Sequence, residues 1–385
     1  MEEEEHNPLN SPAIPQKKQT LLPKIIFILL FSIILYLGLL LIKFTFTVIH
    51  STKMKLLYYF LPLIMLTAFA FLLSISKFIS DFIFSITYSI FGVALAMELY
   101  MSFTSLLLLL MSMFIHPPLI LSYFIILVIP LITCVYGIIN VFIPSIDVIT
   151  LKSKHITNKK RIVHLTDLHL GTTYQRSFVA HLIEQIRQLQ PDVVVITGDL
   201  PDGLINIKSE WLSPFDELTV PVLYVTGNHE HIHGRDVLIQ AVNTTNMIHI
   251  ECGVKEIEGI NFIGIDYGYD LKNTLNQLAP RFRNTEKVNV LLHHIPCVNV
   301  DELEEFDVFL LLSGHTHGGQ VFPFHIVAYL ANKCFNGLYK STNGKSYCYV
   351  SAGVGAAVVP MRVGVRSVIG VIDIEKEEEW DIKDD

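Results

Sequence analysis

Charge is almost missing from the first 147 residues. They hold seven Lys or Arg and seven Asp or Glu, against 21 and 29 in residues 148–385. The formal net charge of −8 therefore falls wholly on the second part. So long a stretch with so little charge excludes a purely soluble chain and a disordered one. Cysteine is scarce. Cys134, Cys252, Cys297, Cys334 and Cys348 include no CxxC pair, and their odd count excludes a disulfide framework. No basic excess exists to hold nucleic acid or anionic lipid by bulk attraction, so no nucleic-acid partner is expected. There is no internal repeat. The first 22 residues, with Glu2 to Glu5, lack the basic start and small-residue cleavage site of a signal peptide. The apolar run that follows is expected to be a retained anchor.

Four apolar blocks are present, at 22–46, 56–75, 82–115 and 119–143. A bilayer span needs about 20 apolar residues. The first, second and fourth blocks each read as one helix. The third, as one helix, would run ~51 Å at 1.5 Å per residue, beyond a ~30 Å hydrocarbon core. It is either one helix that projects from the bilayer or two short spans. No Pro or Gly cluster marks a turn near Glu98, which favours one. The expectation is an all-α, multi-pass membrane domain over 22–143, after a polar tail at 1–21. Lys and Arg positions around the spans place the C-terminal part in the cytosol. Glu98, the only acid well inside a block, reads as an interfacial residue on the projecting helix. The triplet Asn243-Thr244-Thr245 is a glycan acceptor if that part is lumenal.

Residues 144–160 read as a basic linker and 375–385 as an acidic tail. Between them, 161–374 shows strand patterns at 161–166, 192–197, 220–226, 247–250, 254–257, 261–265, 288–292, 308–312, 347–351 and 368–374, with helical periods at 175–190 and 235–243. Early strands separated by helices, followed by many short strands, predict a layered α/β domain.

The chemistry lies just after the strands. Asp167-Leu168-His169 follows the first and Gly198-Asp199 the second. Gly227-Asn228-His229-Glu230 follows the third. His293-His294-Ile295-Pro296 follows 288–292, and Gly314-His315-Thr316-His317-Gly318-Gly319-Gln320 follows 308–312. Each motif alone is ordinary turn chemistry. Five in series, each directly after an apolar strand, put carboxylate, imidazole and amide oxygen at one rim. That donor set suits Mn, Fe or Zn. Nearby, His164 reads as a packed strand residue. His231 and His233 line either the pocket mouth or a solvated loop, and Tyr174 either meets substrate or is an exposed aromatic.

This series resembles the calcineurin-like metallophosphoesterase superfamily, over residues 161 to about 374. The GHTHGGQ form, with 349–355 (YVSAGVG) and Pro360-Met361-Arg362, is closer to its membrane-associated branch, transmembrane proteins with a C-terminal metallophosphoesterase domain. The resemblance implies an α/β/β/α four-layer sandwich with two divalent transition-metal ions at one rim. Motif by motif, it implies that Asp167, His169, Asp199 and His317 hold one ion. Asp199, Asn228, His294 and His315 hold the other, with Asp199 bridging. His294 is preferred to His293 because the branch spaces this histidine as His-x-Pro. His229 is the catalytic histidine, touching phosphate and leaving group. Arg366-Ser367-Val368 departs from the branch's Arg-Pro-Glu at the substrate rim. The implied function is a membrane-anchored phosphohydrolase in which water acidified by the metals attacks phosphorus. The substrate is a phosphodiester, pyrophosphate or phosphomonoester, and a lipid-linked phosphate fits a membrane anchor. The alternative is an inactive membrane receptor or scaffold. An intact ligand set argues against that.

Overall fold

The computed structural model describes residues 38, 40–45, 47, 80–296 and 299–377. The expected span 56–75 lies outside the described residues, as does most of 22–46. Two apolar helices are described, α1 (Asp81–Met111) and α2 (Leu119–Phe142). Both are long and apolar enough to cross a bilayer, at mean hydropathy 1.9 and 2.5. The third block is thus one helix. Its N-terminus is capped by the Ser80 hydroxyl, which accepts from the Ile83 N–H. Glu98 is buried in the protein, its carboxylate oxygens have no hydrogen-bond partner among the described residues, and the side chain points toward Gly38. A Cβ on Gly38 would overlap the Ser102 hydroxyl, so the bare glycine lets Ser102 approach.

The rest of the chain builds two six-stranded sheets. The first contains β1 (Ser145–Ser153), β2 (Lys160–Leu165), β3 (Val193–Thr197), β4 (Val222–Val225), β5 (Met247–His249) and β12 (Val368–Lys376), in the order β1-β12-β2-β3-β4-β5. The second contains β6 (Cys252–Ile257), β7 (Ile260–Ile265), β8 (Val288–Leu292), β9 (Leu310–Ser313), β10 (Gly337–Lys340) and β11 (Tyr347–Val350), in the order β10-β11-β9-β8-β7-β6. Strands β2 to β5 run parallel, as do β7, β8, β9 and β11.

Alternation along each strand assigns the layers. Val193 and Val195 of β3 meet Val288, Val290 and Leu310 in the core between the sheets. Val194 and Ile196 face the other way, onto α3 (Arg176–Leu189) through Val179, Leu182 and Ile186. Leu291 and Leu311 point outward from the second sheet, onto Leu275, Leu278 and Leu303 of short helices. Both sheets are therefore covered on both faces, which explains the nearly unbroken apolar runs of their central strands.

The expected linker is corrected in part. Residues 145–153 form β1, paired in parallel with β12 from Ser145↔Val368 to Ser153↔Lys376. Only Leu151 and Ser153 of β1 are buried, as suits a strand at the edge of the sheet. The apolar helices also do not stand apart from the domain. Phe84 and Tyr88 of α1 and Val141 of α2 share the α3 core. Ala96, Tyr100 and Cys134 pack with Val321 and Met361. The Asn140 amide donates to the Arg362 and Val365 carbonyls at 3.1 and 2.9 Å, and the Arg362 N–H donates to the Gly137 carbonyl at 2.9 Å.

Candidate metal centre

Parallel pairing decides where the motifs meet. β2, β3 and β4 are neighbours in one sheet and β8 and β9 in the other, so five strand-end loops open on one rim. The loops are pinned to one another. Asp167 N–H donates to the Gly198 carbonyl at 3.0 Å, and His169 N–H to that of Asp199 at 3.1 Å. Gly314 N–H donates to the His294 carbonyl at 3.0 Å within the second sheet, and the His315 N–H donates to Asp167 Oδ2 at 3.1 Å, which joins the two sheets at the rim. Asp167, His169, Asp199, His315 and His317 all adopt left-handed φ angles, between 48 and 73°. Non-glycine residues enter that region at a cost, and they cluster where surrounding structure forces a side chain into a site. Gly198 is required outright. Its φ is +87°, and a Cβ there would lie 2.6 Å from the Gly227 nitrogen and 2.8 Å from His294 Nδ1.

The side chains converge in two groups that share Asp199. In the first, His169 Nε2 and His317 Nε2 stand 3.1 Å apart, and His317 Nε2 is 3.2 Å from Asp167 Oδ1. Asp199 Oδ2 lies 4.0 Å from His169 Nε2. In the second, His294 Nε2 is 3.2 Å from Asp199 Oδ2 and 3.1 Å from Asn228 Oδ1. His315 Nδ1 reaches the same Asn228 oxygen at 2.9 Å. All seven residues expected at the rim are thus brought together. His229 sits beside them, its ring 4.6 Å from that of His169 and its Nε2 4.0 Å from Asp199 Oδ2. Its Nδ1 is 2.9 Å from the Asp202 carbonyl, which assigns the proton to Nδ1 and leaves Nε2 facing the cluster. His293 turns away to the Ile265 carbonyl at 2.9 Å and joins neither group.

Orientation comes from an outer layer of bonds. His294 Nδ1 donates to the Thr197 carbonyl at 2.8 Å, freeing Nε2 as a ligand atom. Glu230 is buried and accepts from the backbone N–H groups of Asp199, Leu200 and Gly227 and from the Tyr224 hydroxyl. Arg362 is fully buried. It donates to the carbonyls of Gly355, Ala352 and His317 at 2.7, 2.6 and 3.1 Å. Neither Glu230 nor Arg362 was expected at the site, although each sits in a motif read from the sequence. Tyr174 corrects both sequence readings: it is buried against Phe142 and Phe178. His164 is buried within β2, as expected.

The electrostatics calls for cations. Burial raises the Asp167 carboxyl to about 6. Burial would raise Asp199 too, but the facing His294 charge holds it well below the usual range. Burial alone would make His294 a weak base, yet the Asp199 carboxylate and its hydrogen bond, then Asp167 and Glu230, lift it to about 10. A proton on His294 thus serves as the counter-charge of a buried acidic pair. His169 is driven well below the imidazole range by burial, then by His229, and His317 by burial, then by His169 and Arg362. They are neutral donors, as metal ligation needs. Asp167 Oδ1 is buried without a hydrogen bond. That orphaned oxygen beside two neutral nitrogens fits a divalent ion.

Proton release sets a pH dependence. A divalent ion must displace the His294 proton, which the folded protein keeps up to about pH 10 while an unfolded imidazole loses it near 6.5. Affinity for Mn should therefore rise about ten-fold per pH unit between roughly 6.5 and 9, and more steeply below 6, where Asp167 also holds a proton. Titration calorimetry in two buffers of different ionisation enthalpy counts the protons. Affinity flat across that window would break the assignment of His294.

The fold and this rim resemble those of a calcineurin-like phosphoesterase domain. Residues 160–319 match the family model described as calcineurin-like phosphoesterase. It is 34% identical over 223 residues to a protein of Helicobacter pylori named uncharacterized metallophosphoesterase, covering 55% of this chain and 59% of that protein. It is 31% identical over 269 residues to the Danio rerio transmembrane protein with metallophosphoesterase domain, covering 63% and 60%. The Bos taurus protein of the same name is 32% identical over 241 residues, covering 55% and 52%. The chain thus spans a little over half the length of these relatives.

Proposed function

We propose that the chain is a multi-pass, membrane-anchored phosphohydrolase with two divalent metal ions, its catalytic domain facing the cytosol. The convergence of six donor residues about the shared Asp199 carries this reading. Asp167, His169, Asp199 and His317 would hold one ion, and Asp199, Asn228, His294 and His315 the other. When bound, such a pair clamps phosphate oxygens and lowers the pKa of water between them. The chain's own residues do the rest. Arg362 fixes the His317 backbone, so that the imidazole stays at the rim. Glu230 ties the Asp199 and Gly227 backbones together. His229 is held by the Asp202 carbonyl and turns Nε2 to the position of a departing oxygen, where it gives up a proton or hydrogen bond once protonated. Among the described residues, no cysteine belongs to either donor group.

The test uses the full chain, because the apolar helices share its core. Loaded with Mn, it should turn over aryl phosphodiesters or monoesters. His229→Asn should keep its metal and lose about 10²-fold in kcat, with a larger loss on phenyl than on p-nitrophenyl esters, since the poorer leaving group needs the proton more. Failure of the loaded wild type on every ester would return the domain to a binding role. A loss independent of leaving group would remove His229 as the proton donor.

A further inference from the structure

Directly after the GHTHGGQ loop the chain forms α4 (Phe324–Ala331). Its polarity is inverted for a soluble protein. No residue of the helix is buried, and Ile326, Val327, Tyr329 and Leu330 are 52 to 78% exposed. His325, the most polar side chain of the segment, turns inward against Phe322 and Gly364. The helix is also locked to the metal loop. Gly319 has a φ of +76°, and a Cβ there would overlap the His325 backbone. The Phe324 N–H donates to the Val321 carbonyl at 2.8 Å.

This face continues the apolar surface of the helix pair. The Phe322 ring lies 5.8 Å from that of Phe103 on α1. Beyond Phe103, Leu106, Leu107, Leu110 and Met111 are exposed on the same helix. The domain packs on α1 from Phe84 to Phe103 and on α2 from Cys134 onward. Only 104–111 and 119–133 extend clear of it, roughly 12 and 22 Å at 1.5 Å per residue. Both lengths fall short of a ~30 Å hydrocarbon core. For the pair to bury its apolar length in lipid, the face of the domain it packs against must itself lie at the bilayer. α4 is on that face.

We infer that α4 lies in the bilayer surface with its apolar face among the acyl chains, and that it sets the metal rim at the headgroup level, so that the site takes phosphate esters carried by lipids. A short apolar helix with its polar residue turned away and an exposed Lys333 just past its end is built for that boundary. The substrate half of this inference rests on the phosphohydrolase reading above; the insertion half does not.

Two measurements on the full chain in vesicles of phosphatidylcholine and phosphatidylglycerol test it. In the first, a nitroxide label is placed at Val327 or Leu330, with Glu302, exposed on the outer face of the second sheet, as control. Oxygen should reach the Val327 and Leu330 labels more than a water-soluble nickel chelate does, and the reverse should hold at Glu302. Labels at Val327 and Leu330 as wet as the control overturn the insertion, whether or not the protein is active. The second compares hexadecyl p-nitrophenyl phosphate in the vesicles with soluble ethyl p-nitrophenyl phosphate, two diesters with one leaving group. The triple variant Ile326→Ser, Val327→Ser, Leu330→Ser should lose at least about ten-fold in kcat/KM on the hexadecyl ester and stay within about two-fold on the ethyl ester. Equal losses on both, or none on the hexadecyl ester, overturn the lipid-substrate assignment. Buried labels with no turnover of either ester by the wild type would leave the insertion standing and bring down the phosphohydrolase reading instead.

Discussion

Asp199→Asn is expected to lower kcat of the Mn-loaded protein on an aryl phosphodiester by about 10³-fold or more. The substitution keeps the shape of the side chain and removes one charge. That charge sits where both donor groups meet: Oδ2 faces His294 and His169, and Oδ1 accepts from the His229 N–H at 2.8 Å. An amide can still occupy the position of Oδ1, so the backbone at His229 should hold and the fold should survive. What it cannot do is bring two cations together against their own repulsion. A 10³-fold loss corresponds to about 4 kcal/mol of transition-state stabilisation, within what metal-ion charge stabilisation supplies. Two readouts are needed, kcat by stopped assay and metal content by elemental analysis. Full activity in the variant would remove Asp199 from the shared position. Full metal content with activity lost would place its effect on the reacting phosphate alone.

Metal removal should destabilise the domain by a similar order. With both ions at about 100 times their dissociation constants, each site contributes about 2.7 kcal/mol. For a domain of this size 1 kcal/mol moves Tm by about 2–4 °C, so removing both ions should lower it by about 10–20 °C. The sign follows from the buried charges. Loaded, Asp167 and Asp199 face cations. Stripped, the pair must take a proton on His294 for compensation. The stability this proton gives is complete below about pH 6.5 and is lost as the pH rises toward 10. The chelation shift should therefore be larger at pH 9 than at pH 6. Scanning calorimetry at both values checks the size and the order, and equal shifts would mean that the pair is not the origin of the effect.

The layered α/β character and the rim were legible because both depend on local signals. Strands buried on both faces read as apolar runs, such as 193–197, and each ligand loop begins where such a run stops. What the sequence hid was set by distant contacts. β1 carries β-branched residues at Ile146, Val148, Ile149 and Thr150, but its partner lies more than 200 positions away, so the sequence did not show which sheet it joins. Glu230 was in view as part of GNHE, but its value lies in four donors that come from two loops and β4. Arg362 reads as an ordinary cation until burial shows it reaching the His317 and Gly355 carbonyls. α4 was missed for a different reason. It carries no polar face, so helical periodicity has nothing to detect.

The order of the first sheet also governs the order of manufacture. β12 lies between β1 and β2, so the last strand made fills a slot between the first two. At ~5–20 residues per second, roughly 10–40 s separate the synthesis of β2 from that of β12. Through that interval the open edges of β1 and β2 face each other across an empty lane, with β1 held two residues from the end of α2. Translation must finish before the lane can close. A chain stalled short of residue 368 would present two unpaired edges beside the apolar helices, a form that quality-control proteases and chaperones are equipped to recognise.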